Sequence, residues 1–428
     1  MRHTTGRNRH REQGQALLLF VLFLVVLLVF IGLGVDVGFA YVTKAKLSKA
    51  VDAASLMAAA NISAGQNTAK TVAENAFYAN YRVSGLDAET PVPDIKFSED
   101  ANNNVLVDVS ATASINTFFV RVLPVIGGAS WSRLTVGSSA QATRAKVIMS
   151  LILDRSGSMK GNGGADAMPD AVTSFINVFD DNRDYAALVT FASTPAIDVP
   201  IEKHFKSDII DAVNRIYPNL VAGSTFSQGG LTNALVQNQS VPIGPGDNAV
   251  KVTVFFTDGK ANGIQDTLGC IAPTPKVFGG RDSTGYFAWS PTLAEGTDQS
   301  THLCGVGASF IPDNTPPTTP PTSCGCTNTQ FVSNLNGGAL ENFTQANIAA
   351  EAEYRSEQVA DDMRANNTIV YAIGMGNDIN TGFLVQIANA DGSRGAGQRG
   401  LALVAPTPAD ISETFQRVAN DILLRLIK

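Results

Sequence analysis

From position 16 to position 35 the sequence runs ALLLFVLFLVVLLVFIGLGV, twenty residues without a charge. At about 1.5 Å per residue, a helix of this length covers about 30 Å, the hydrocarbon thickness of a bilayer. This predicts a membrane-spanning helix over residues 16–35. The competing reading is a cleaved secretory signal, whose apolar core is typically about 7–15 residues and precedes a small-residue cleavage site. Asp36, Val37, Gly38 and Phe39 follow the run instead. The expectation is an uncleaved anchor, with the lipid bilayer as a partner.

Charge sets the expected direction. Residues 1–15 carry Arg2, Arg7, Arg9 and Arg11 against one Glu, a net +3, which leaves −10 on the remainder of a chain whose total is −7. Basic residues beside an apolar span resist translocation. This predicts a single-pass protein of the inner (cytoplasmic) membrane, with residues 1–15 as a cytoplasmic basic tail and the C-terminal part periplasmic or extracellular. The remaining Lys and Arg form no stripe, so nucleic acid is not an expected partner. With 44% hydrophobic and 16% charged residues, the exported part can bury a core and is not disordered by composition.

The helical pattern continues beyond the bilayer through Leu47, Val51, Ala54 and Ala58 to about Tyr81. Residues 94–143 then change to period two, with Val105, Val107 and Val109 facing one way. A short apolar helix-like run near 118–125 interrupts that alternation. Residues 36–143 are therefore read as a long helix plus a small α+β unit.

From Lys146 onward, nearly continuous apolar strands alternate with helical stretches. The strands are expected at 147–153, 186–191, 250–257, 369–373 and 401–404. Helices are expected at 170–180, 208–216, 230–237, 346–366, 381–390 and 409–426. Strands buried on both faces and separated by helices indicate an α/β fold with a doubly wound, mostly parallel sheet, here over residues 146–428. Residues 262–345 interrupt it with eight Pro, eleven Gly and the run TPPTTPPT, which reads as a loop-rich insertion.

All four cysteines, Cys270, Cys304, Cys324 and Cys326, fall in that insertion. In an oxidising compartment they are disulfide candidates with three possible connectivities, and Cys324 with Cys326 would close a very small ring. A zinc site using these thiolates, with His302 as a further ligand, is the alternative.

Ligands of open parallel sheets bind beyond the carboxyl ends of the strands. The first strand ends in Asp154-Arg155-Ser156-Gly157-Ser158, the strand at 250–257 ends in Thr257-Asp258-Gly259, and Thr225 lies in the loop AGSTFSQGG. Two carboxylates and three hydroxyls, without His or Cys, suit a hard divalent cation such as Mg²⁺, with Mn²⁺ or Ca²⁺ as alternatives. Two Asp merely neutralise the ion, which leaves it able to take a carboxylate from outside.

These residues resemble the metal-ion-dependent adhesion site (MIDAS) of von Willebrand factor type A domains. The resemblance implies Asp154, Ser156, Ser158 and Thr225 as metal ligands, with Asp258 bound directly or through water. The segment from Gln13 to Ala59, with Gly14-Gln15-Ala16-Leu17, the apolar run, Asp36, Tyr41, Leu47 and Asp52-Ala53-Ala54, resembles the pilin-like segment of TadE/TadG proteins of Flp (tight adherence) pilus assembly. Processed pilin-like members have Glu at the fifth position after the cut, where this chain has Leu19.

Catalysis is not expected. G-x-S-x-G and H-E-x-x-H are absent, and His3, His10, His204 and His302 are the only histidines. The favoured function is metal-dependent adhesion, with the ion recognising an acidic side chain of a protein partner, in association with Flp/Tad pilus components. The alternative is a structural, pilin-like anchor of the pilus machinery without a metal-dependent ligand.

Overall fold

The computed structural model describes residues 10–83, 87–100, 104–119, 132–221, 223–268, 272–281, 285–289, 310–311, 334–335, 338–339, 345–395 and 397–427. They fall into two compact units, one of residues 1–144 with 427–428 and the other of residues 145–426.

In the first unit, helix α1 (His10–Ala60) runs 51 residues, about 77 Å at 1.5 Å per residue. Its apolar side chains from Leu17 to Ile31 are all exposed, and it is the one helix among the described residues long and apolar enough to cross a membrane. Helix α2 (Gln66–Asn80) follows after a single 3₁₀ turn, Ile62–Ala64. The helical pattern to Tyr81 is thus two helices rather than one rod. The break is at Gly65, whose φ of +95° leaves the helical region at a position where a side chain would be strained. Because the Ala-rich periodicity continues across it, the pattern alone does not reveal the turn.

Strands β1 (Asp94–Glu99), β2 (Val105–Asn116) and β3 (Arg133–Arg144) form an antiparallel sheet in the order β1-β2-β3. Val105, Val107, Val109, Ala111 and Ala113 alternate inward and share a core with Leu47, Ala50, Val51, Ala54 and Ala58 of α1 and Phe77 of α2. Small residues on α1 let the sheet lie close against it. Phe118 and Phe119 of the expected helix-like run lie in a bend after β2; residues 120–125 lie outside the described residues.

The second unit is built on a six-stranded sheet. Its strands are β4 (Lys146–Asp154), β5 (Tyr185–Phe191), β6 (Pro195–Glu202), β7 (Ala249–Thr257), β14 (Thr368–Met375) and β15 (Ala402–Ala405). Their spatial order is β15-β14-β7-β4-β5-β6. All neighbours are parallel except β6, which runs antiparallel to β5 at the edge. Helices α4 (Gly164–Ile176), α5 (Phe205–Asn219) and α9 (Ile411–Arg425) cover one face, whose core includes Val147, Met149, Leu151 and Leu153 of β4. Helices α6 (Ser227–Ser240), α7 (Gln345–Ala365) and α8 (Thr381–Ala388) cover the other, whose core includes Ile152, Phe191 and Phe255. A short helix, α3 (Gly157–Gly161), follows β4 directly. The doubly wound α/β expectation holds.

One polar network ties α6 to the sheet. Asn238 accepts from Ser150 Oγ at 2.7 Å and donates to the Val252 carbonyl at 3.0 Å and Thr253 Oγ1 at 2.9 Å, all fully or nearly fully buried. Replacing Asn238 by Leu removes all three bonds and leaves Ser150 Oγ only its longer one to the Ala234 carbonyl at 3.3 Å, and stability is expected to fall by about 1–3 kcal/mol. Urea denaturation checks this as a lower midpoint at unchanged slope.

Residues 262–345, expected as a loop-rich insertion, contain strands among the described residues. Strands β8 (Gly263–Leu268), β9 (Ala272–Arg281), β10 (Gly285–Trp289) and β11 (Phe310–Ile311) form a separate antiparallel sheet, and β12 (Asn334–Leu335) pairs with β13 (Gly338–Ala339). Its Pro and Gly content hides these strands from a composition-based reading. Cys270, Cys304, Cys324, Cys326 and His302 lie outside the described residues.

Candidate metal centre

Strand β4 delivers Asp154 to the carboxyl edge of the sheet, where its side chain is fully buried. One carboxylate oxygen accepts the Ser156 N–H at 2.7 Å, a local turn that reverses the chain over the strand end. The other accepts the Thr257 hydroxyl at 2.6 Å, so the ends of β4 and β7 are tied through a side chain as well as through the sheet. The Tyr217 hydroxyl donates to the Asp154 carbonyl at 2.8 Å from α5.

The next links run outward. Ser156 Oγ lies 3.0 Å from Ser158 Oγ, and Ser158 Oγ donates to Asp258 Oδ1 at 2.7 Å. Asn162 donates to Asp258 Oδ2 at 2.6 Å. Asp154, Ser156, Ser158 and Asp258 are therefore brought together, with Thr257 hydrogen-bonded at the inner end and Asn162 at the outer end.

Thr225 makes no hydrogen bond to this chain of groups. Its loop is nevertheless held at the same edge, because the Gly157 N–H donates to the Gly223 carbonyl at 3.1 Å. The Thr225 N–H donates to Asn262 Oδ1 at 2.7 Å, which fixes the loop to the segment after Asp258. Sequence reading singles out neither asparagine. Asn162 and Asn262 sit in Gly-rich stretches whose only sequence signal is a turn, and their roles appear only when distant loops meet.

Arg155 is buried between the candidate ligands but turns away from them. Its guanidinium donates to Thr190 Oγ1 and to the carbonyls of Leu220 and Thr194 at 3.2–3.4 Å. Among the described residues, neither Asp154 nor Asp258 has an ion-pair partner. Burial, and after it the neighbouring Asp258 carboxylate, push the Asp154 carboxyl up to about 7. Burial likewise raises Asp258. Two buried acids without a compensating cationic side chain among the described residues carry a desolvation cost that a bound cation would offset.

The donor set fits a hard divalent ion: two carboxylates with hydroxyls at Ser156, Ser158 and Thr225. Among the described residues no three His, Cys, Asp or Glu side chains gather into a metal-holding group. The candidate donors themselves include neither thiolate nor imidazole, the ligands that soft centres use. His204, outside the set, has a 70% exposed side chain with Nδ1 4.0 Å from Asp181.

Two segments of the chain match known families. Residues 14–61 match the Flp pilus-assembly TadE/G-like family, and residues 149–273 match the von Willebrand factor type A domain. No curated protein matches. Similar solved structures include proximal thread matrix protein 1 from the mussel byssus with a zinc-occupied MIDAS motif, at 14% identity over 66% of this chain and 46% of that one, TM-score 0.36. Another is the pilus adhesin SpaC from Lactobacillus rhamnosus GG, at 14% identity over 78% and 35%, TM-score 0.42. A third is the PilB minor pilin from Streptococcus sanguinis, at 14% identity over 78% and 79%, TM-score 0.42. The chain spans about half or less of the mussel and Lactobacillus proteins. It joins a TadE/G-like N-terminal segment to a von Willebrand factor type A domain.

Proposed function

We propose that this is a membrane-anchored adhesion protein of an Flp (Tad) pilus system whose type A domain binds a partner's carboxylate through a divalent ion. The observation that carries the reading is the hydrogen-bonded set of Asp154, Ser156, Ser158 and Asp258, buried at its inner end and, among the described residues, without a cationic partner. Asp154, Ser156, Ser158 and Thr225 would hold Mg²⁺, or Mn²⁺ or Ca²⁺, with Asp258 as a direct or water-mediated ligand. The ion would supply a Lewis-acidic position for an outside carboxylate.

The protein supplies the rest. Thr257 and the Ser156 amide orient Asp154; Asn162 orients Asp258; Gly157 and Asn262 hold the Thr225 loop at the same edge. On this reading residues 1–15 are cytoplasmic, residues 16–35 cross the inner membrane, and residues 146–428 form one exported type A domain. Residues 262–345 are an insertion within it, with its cysteines in two disulfides. TadE/G-like and type A domains typically serve adhesion or assembly, and no catalytic step belongs to this reading.

Attachment of cells carrying the Asp154→Ala chain tests it. The expected result is retained piliation with loss of the Mg²⁺-dependent, chelator-sensitive part of attachment. Unchanged attachment would overturn the reading. Loss of pili together with attachment would favour the structural anchor instead.

A further inference from the structure

The helix face that carries the first unit begins inside the apolar run. Gly32, Asp36, Ala40 and Thr43 are buried at successive turns of α1, whereas the side chains from Leu17 to Ile31 are exposed. Gly32 lies three residues, about 4.5 Å, inside the end of the run at residue 35. What packs on Gly32 is Phe119, in the bend after β2. A β-carbon added to Gly32 would stand 2.5 Å from Phe119 Cβ and 2.6 Å from Cγ, so the ring rests directly on the glycine backbone.

Asp36 completes this contact. Its two carboxylate oxygens accept the backbone N–H groups of Phe118 and Phe119, each at 3.0 Å. Phe118 also meets Phe39, with ring centroids 6.1 Å apart. Phe118 and Phe119 nevertheless remain 45% and 51% exposed. Irregular backbone is tolerated at membrane depth only where its polar groups are satisfied by protein. A carboxylate capping two consecutive amides, beside two half-exposed aromatic rings, meets that condition.

We propose that the bend at Phe118–Phe119 is a second membrane contact, inserted into the acyl-chain boundary of the leaflet from which α1 emerges. Asp36 serves as its positioning residue, and Gly32 makes room for it. The occupant of the exposed aromatic face is lipid. Phe119 touches a residue of the apolar run itself, so any bilayer that surrounds Gly32 also reaches Phe119. The bend would fix the depth and tilt of the exported unit, which a lone helix leaves free to vary. This inference rests on residues 16–35 spanning the bilayer.

Tryptophan quenching by brominated lipids tests it in the full-length chain with Trp131→Phe and Trp289→Phe as background. One protein carries Phe119→Trp, a second Phe118→Trp, and a third Leu24→Trp in the middle of the apolar run. Each is reconstituted into phosphatidylcholine vesicles with bromine either near the headgroup end or near the tail end of the acyl chains. The expected result is loss of emission at Leu24→Trp with deep bromines, and at Phe119→Trp and Phe118→Trp with shallow ones, with blue-shifted maxima. Quenching at Leu24→Trp with unquenched emission at both bend positions would overturn the proposal and leave the anchor standing. Absence of quenching at all three positions would remove the anchor and the proposal together.

Discussion

Replacing Asp154 by Asn is expected to abolish the thermal stabilisation that Mg²⁺ gives the intact protein while leaving the metal-free melting temperature nearly unchanged. The substitution keeps the volume of a fully buried side chain and an acceptor for the Ser156 amide, and the Thr257 hydroxyl can accept from the new amide. It removes one of the two carboxylates on which a divalent ion would depend. Ligand binding to the folded state at a hundred times its dissociation constant contributes about 2.7 kcal/mol. For a domain this large, about 2–4 °C per kcal/mol translates that into a rise of about 5–10 °C in the wild type. The variant should show almost none of it. Removing one of two neighbouring buried acids also relieves repulsion, so the variant without metal should not be less stable than the wild type without metal.

The scaffold beneath the site responds differently. Phe415 of α9 is fully buried, with its ring 5.3 Å from Phe175 of α4 and 5.8 Å from Phe256 of β7, the residue before Thr257. Phe415→Ala removes a ring from the middle of this cluster, and substitutions of this kind cost about 3–5 kcal/mol. That is a large share of the roughly 5–15 kcal/mol by which domains are stable. Chemical denaturation should show the midpoint falling accordingly. The protein that remains folded should still be stabilised by Mg²⁺ by a similar increment, because the ring partners of Phe415, Phe175 and Phe256, are not among the candidate ligands. The two variants thus separate the site from its support: one loses the metal response without losing stability, and the other does the reverse.

Much of this arrangement is visible in the sequence, for reasons that differ by element. The central strands β4, β5, β7 and β14 are apolar on both faces because helices cover both, and such runs stand out. The edge strand β6 does not stand out. It carries Pro195 and Pro200, and apart from the buried Val199 its positions are half-buried or exposed, as suits an edge strand. Helix α3 is hidden by its Gly-rich sequence, and the turn at Gly65 by the Ala periodicity on both sides.

The candidate site is legible to the extent that its donors lie at strand ends. Asp154 and Asp258 close two adjacent parallel strands, so topology alone brings them near one another. Ser156 and Ser158 follow within one turn. Thr225 depends on a loop between helices, and no periodicity fixes where that loop goes; the Gly157 to Gly223 hydrogen bond does so. Asn162 and Tyr217 act on Asp258 and Asp154 from other elements, a relation that spacing along the chain cannot encode. The Asp36 bridge to Phe118 and Phe119 is equally invisible, since 82 and 83 residues separate the partners.

Titration of the full-length, detergent-solubilised chain with Mn²⁺, with free ion followed by its paramagnetic resonance signal, addresses the metal centre most directly. One ion bound per wild-type chain, displaced by Mg²⁺ and lost in Asp154→Asn, is the expected result. Wild-type and Asp154→Asn chains that take up Mn²⁺ equally, or a folded wild type that takes up none, would contradict it.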